Sequence, residues 1–153
     1  MFVVAADPVL KLLAAEVLSV GLPFCVFKLL TGLVVLGAPS PLVAPLGWAL
    51  AAMGVVDAVI NLVNLAALVG LGRRVVGVCL TDVLLGRRLG SEVAIAIDVF
   101  VSFGLVAIVV GAGLLMRLPA GWGLPVWNVA VVLNVLGAGI GHLVTAVRRE
   151  LRP

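Results

Sequence analysis

Four windows of about twenty residues, nearly free of charge and divided by short runs of proline, glycine or arginine, dominate this 153-residue chain. A helix needs ~20 apolar residues to cross the hydrocarbon of a bilayer, so each window is a candidate span. The chain is 64% hydrophobic and 11% charged, whereas water-soluble domains are about 45–50% apolar. A soluble domain is excluded. The reading is an all-α polytopic membrane protein, a single domain forming a four-transmembrane-helix bundle. The spans are placed at about 22–38, 48–71, 92–118 and 124–147, with a short interfacial segment at 75–88 between helices 2 and 3.

The second span organises the rest. At about 100° per residue, Asp57, Asn61 and Asn64 share one face, and Trp48, Val55, Val59, Leu62 and Ala66 cover the other. An ionised carboxylate near the bilayer centre costs about 3 kcal/mol on insertion scales, so Asp57 requires a partner or a task. The first span supplies one. Counted back from Ala38, Lys28 lies about 15 Å deep, and counted in from Gly47, Asp57 lies about 15 Å deep as well. Spans joined by a short turn are antiparallel neighbours, which predicts a Lys28–Asp57 ion pair near the midplane.

Asp7-Pro8 is a helix start, with a capping carboxylate before proline at the first helical position. Residues 8 to 20 form either a separate helix or the lower part of span one, which Pro23 kinks or divides. The N-terminus has no basic stretch before its apolar run, so no removable signal peptide is expected. The apolar run Val75 to Leu85 is too short to span and is fenced by Arg73-Arg74 and Arg87-Arg88. It should lie on, or dip into, the cytoplasmic face.

Ser91-Glu92 opens the third span, where Asp98 and Ser102 share a face. Lying near the cytoplasmic end, Asp98 reads as a solvated carboxylate or one paired with an arginine. The other side carries Ala96, Gly104, Ala107 and Gly111, a surface suited to close helix approach and to assembly as a homo-oligomer or with other membrane subunits. On the fourth span, Asn134, at midplane depth, continues into Ala138, Gly141 and Thr145 as a packing stripe. Trp48, Trp122 and Trp127 fit an aromatic belt at the outer turns.

Lys11, Arg73, Arg74, Arg87, Arg88, Arg148, Arg149 and Arg152 fall on one side and Arg117 on the other. Both termini are therefore expected in the cytoplasm, in a plasma or bacterial inner membrane. The arginines sit in pairs at span ends and read as topology determinants, not as a nucleic-acid surface. Each half repeats one plan: apolar helix, Pro/Gly turn with tryptophan, polar helix, arginine pair. That plan fits a parallel duplication, and equally any pair of hairpins.

No enzymatic motif appears, and neither a catalytic residue, a metal nor a cofactor is expected. Gly-Ala-Gly-Ile-Gly at 137–141 follows no strand and is a packing surface. Cys25 and Cys79 are too few and too far apart for a disulfide framework. The polar set supports two main readings. In the first, Asp57, Asn61, Asn64 and Asn134, with Lys28 as counter-charge, line the path of a small ion, proton or solute channel or carrier, and Asp98, Ser102 and His142 mark its cytoplasmic end. In the second, the same side chains fix helix register in a structural or assembly subunit of a larger complex. A weaker third makes His142 the single axial ligand of a haem or pigment.

Overall fold

The computed structural model describes the backbone of residues 8–38 and 41–150, with side chains from Leu10 onward except at 41, 138 and 140–150. Among these residues the chain is all-α, with five helices. Helix α1 is continuous from Pro8–Glu16 through a wide π turn, Val17–Gly21, into Leu22–Leu36. Helices α2 (Ala44–Leu71), α3 (Leu80–Leu89), α4 (Ser91–Gly111) and α5 (Gly123–Glu150) come next in the chain, with short 3₁₀ turns at Pro41–Val43 and Leu114–Arg117. Leu10–Leu36, Ala44–Leu71 and Ser91–Gly111 are long and apolar enough to cross a membrane, and Gly123–Gly137 is a shorter apolar stretch. This is a membrane protein with transmembrane-like helices.

The first helix begins well before Leu22, and its π turn explains how it survives Pro23. Proline lacks the N–H for the usual ladder and its ring crowds the preceding turn. Widening that turn, with Leu22 N–H donating to Val17 O, makes room for the ring without breaking the helix. The third apolar helix stops at Gly111, short of the expected 118, because Gly113 adopts φ 68° and turns the chain into the 3₁₀ segment.

Helix α1 is the central element. Toward the proline-rich turn, its Phe27, Leu30, Val34 and Val35 form one core with Val106 and Val109 of α4 and Trp127 and Ala130 of α5. Trp127 is thus buried, not part of a belt, and its indole N–H donates to Thr31 Oγ1 at 3.3 Å. Trp48 and Trp122 do remain exposed. Against α2 the contact is closer still. Gly47, Ala51 and Gly54 form a seam on which α1 lies backbone to backbone, meeting Gly32 and the Cys25–Leu29 turn. Small residues permit this approach, and dispersion between helices holds it in an apolar solvent. The small face expected on α4 is turned outward instead: Ala96, Gly104, Ala107 and Gly111 are exposed, with open space above the two glycines.

The segment between α2 and α3 packs against the helices. It doubles back along α2: Asn64 Oδ1 accepts from the N–H groups of Val75 (3.2 Å) and Val76 (3.1 Å), and its Nδ2 donates to Gly77 O at 3.0 Å. Three residues later Leu80 N–H donates to Asp57 Oδ1 at 2.6 Å. Asn64 to Asp57 is about 10 Å of helix, which three extended residues also cover. The extended strand therefore runs inward to the middle of α2. There α3 starts and returns outward, and Gly90, with φ 87°, reverses the chain into α4. Backbone without helical bonds is tolerated at such depth only when protein satisfies it, and Asn64 does so here.

This arrangement carries a labelling prediction. Cys79 is buried at the start of α3, and burial pushes its thiol up to about 11. At neutral pH the reactive thiolate is then on the order of one part in ten thousand. Cys79 should resist maleimide in the native protein. Asn64→Ala, which frees the strand at Val75, Val76 and Gly77, should raise its labelling rate at least tenfold, read by mass spectrometry.

Candidate functional site: a buried carboxylate–ammonium–carboxylate centre

Lys28 is 1% exposed, and its ammonium is shared between two acids: Nζ lies 2.5 Å from Asp57 Oδ2 and 2.6 Å from Asp98 Oδ2. Three helices meet at this point, each contributing one charge. The Phe24 ring centroid is 4.5 Å from Nζ, which adds a cation–π contact to the two ion pairs. Asp98, expected at the cytoplasmic end in water or beside an arginine, is instead 3% exposed and part of the centre. The four-carbon stem of lysine carries the ammonium toward it, a reach that counting residues along a straight helix leaves out.

The re-entrant helix completes the charge balance. Two carboxylates and one ammonium leave a formal charge of −1. The N-terminus of α3 points its partial positive charge at this site through Leu80 N–H on Asp57, and Thr81 Oγ1 donates to Asp98 Oδ1 at 2.9 Å. Each carboxylate oxygen thereby holds one donor. Asp82, in the first turn of α3, accepts from Val78 N–H at 2.8 Å and anchors the helix start. Leu80 and Thr81 are neighbours of the centre that sequence reasoning missed. The available signal was Asp82 three residues after Cys79, an N-terminal capping pattern inside the short apolar run.

The asparagines have separate work. Asn61 Nδ2 donates to Asp57 O at 2.8 Å and approaches Cys25 Sγ at 3.6 Å, while Asn134 Nδ2 reaches Val20 O at 3.4 Å. Asn134 thus grips α1 where the π turn loosens its own ladder. Asn64 is consumed by the re-entrant strand. Ser102 is buried, with Oγ lacking a partner among the described residues. His142 lies on α5, but its side chain is outside the described residues, as are those of Ala138, Gly141 and Thr145.

A cavity of about 480 Å³ opens onto this centre. Its walls are mainly apolar, from Val17, Val20, Phe24, Val99, Phe103 and Val135, with Asp57, Asp98, Asn61 and Asn134 as its polar groups and the Glu16–Arg74 pair (3.0 Å) at one end. Lys28 is not on the wall. Among the described residues, no group of His, Cys, Asp or Glu is placed to hold a metal ion.

Fold and site together define an all-α membrane protein built around a buried ion triad. No family model, curated protein or solved structure matches this chain.

Proposed function

We propose that this chain is a small membrane carrier or channel for a cation or a proton, working from the Asp57–Lys28–Asp98 centre. The observation that carries the reading is that two buried acids share one ammonium beside a cavity. The excess negative charge is expensive to hold in a low-dielectric setting, and a proton or cation arriving through the cavity would neutralise it. The re-entrant half-helix fits the same reading, since discontinuous helices ending at mid-depth commonly form ion and substrate sites in transporters. Helix α5 serves as a fourth span in this proposal, and the basic residues concentrated at one end support cytoplasmic termini.

The test is flux in proteoliposomes, reported by pH- and cation-sensitive dyes. Asp98→Asn should reduce flux at least a hundredfold while the protein still elutes as a folded species. Flux unchanged by Asp98→Asn would remove the proposal. A second reading, an assembly subunit of a larger membrane complex, is favoured by Asn61, Asn64 and Asn134, all of which hold backbone in place. Stoichiometric co-purification of other membrane chains, with no flux from the isolated protein, would select it.

A further inference from the structure

We propose that the cavity binds an amphiphilic organic cation, an apolar or aromatic body carrying one positive charge, seated on the carboxylates of Asp57 and Asp98. This names the cargo of the proposed carrier and rests on that reading for the ligand's role, though not for its binding. Three features point to this class. First, the volume of about 480 Å³ falls within the range of about 300–1,000 Å³ for small-molecule sites, far above what a bare ion needs. Second, most of the wall is aliphatic or aromatic. Phe24 and Phe103 line it with their rings stacked, centroids 6.0 Å apart, an apolar wall for the body of an organic cation.

Third, the polar capacity left over at Asp57 and Asp98 is that of an acceptor. A carboxylate has about four lone-pair positions, and Asp57 and Asp98 each have two side-chain contacts accounted for, one per oxygen. The Asn61 amide nitrogen is already directed at Asp57 O and Cys25 Sγ. Of the charged residues on the wall, Glu16, Asp57 and Asp98 are acids, and Arg74 pairs with Glu16 through one terminal nitrogen, its Nε having no partner among the described residues. Lys28 stands behind its carboxylates, away from the opening, so an entering ligand meets negative oxygen and not the ammonium. An anion would be repelled, and a neutral apolar guest would leave the charge uncompensated.

Tetraphenylphosphonium and tetraphenylborate provide the test, because they match in shape and differ in the sign of charge. Binding is measured by equilibrium dialysis of the purified full chain against matched empty micelles. The phosphonium should bind saturably, one per chain, and at least tenfold more tightly than the borate. Asp98→Asn should weaken it at least tenfold. Phe103→Ala, which leaves all three charges in place, should weaken it several-fold. Equal binding of the two ions, no saturable phosphonium binding to the wild-type chain, or indifference to both variants would overturn the proposal. Phosphonium binding without proteoliposome flux would support the site and count against transport. Proton flux without phosphonium binding would do the reverse.

Discussion

Lys28→Met is expected to lower the thermal midpoint of the purified protein by roughly 10 °C or more, because removing one partner of a buried ion pair costs about 3–5 kcal/mol. Here the loss is compounded. With the ammonium gone, Asp57 and Asp98 face one another with no cation between them, and two buried like charges repel. The diagnostic result is rescue. In Lys28→Met/Asp57→Asn/Asp98→Asn, each amide oxygen can still accept from Leu80 N–H and Thr81 Oγ1, as the carboxylates do now. The triple variant should recover most of the lost stability, since a buried ionic group replaced wholly by neutral groups is often tolerated. Under the proposed carrier reading it should also be inert in flux assays, separating what the charges do for folding from what they would do for transport. A triple variant no more stable than Lys28→Met would show that the triad does not act as a unit.

The second large effect is expected at the α1–α2 seam. A Cβ on Gly54 would stand 2.8 Å from Leu29 N and 2.9 Å from Cys25 O, both backbone atoms that cannot rotate away. Gly54→Val must therefore push the helices apart, and this contact lies one turn from Asp57. Overpacking of this kind costs about 1–3 kcal/mol, and strain on the Lys28–Asp57 bond adds to it. Gly70, on the same helix, has open space at its Cβ position. Gly70→Ala should stabilise by about 0.5–1 kcal/mol through the ordinary helix preference for alanine. Two substitutions for glycine on one helix are thus expected to act with opposite sign, read as opposite shifts in thermal midpoint. A neutral Gly54→Val would contradict the seam.

How much of this could be read from residues alone depended on whether the information was local. Lys28 and Asp57 could be matched in depth because a short proline-rich turn fixes the register of two antiparallel helices, and counting then suffices. The shared face of Asp57, Asn61 and Asn64 was legible for the same reason, and all three are buried. The re-entrant strand was not, since an eleven-residue apolar run reads alike lying flat or dipping inward. What decides it is Asn64 and Asp57 capping backbone more than ten residues downstream, a pairing without periodicity. Asp98 joined the centre for a related reason: the start of α4 is set by where α3 turns, not by a membrane boundary. The small residues on α4 resembled a contact face, yet the seam in use is Gly47, Ala51 and Gly54, whose partner α1 offers Gly32 at the matching height.

The backbone of Val75, Val76 and Gly77 has consequences for biogenesis. These peptide groups have no helical partners and depend on Asn64, so they cannot enter hydrocarbon ahead of α2 without several unmet donors and acceptors. The hairpin of α1 and α2 must be in place first, and the strand with its short helix folds onto it afterwards. The third apolar helix is threaded only once its neighbour has been docked. Membrane insertion of this chain is therefore ordered from the N-terminal hairpin outward, and a ribosome-stalled intermediate from which Leu71 has just cleared the exit tunnel should already hold a stable pair of helices.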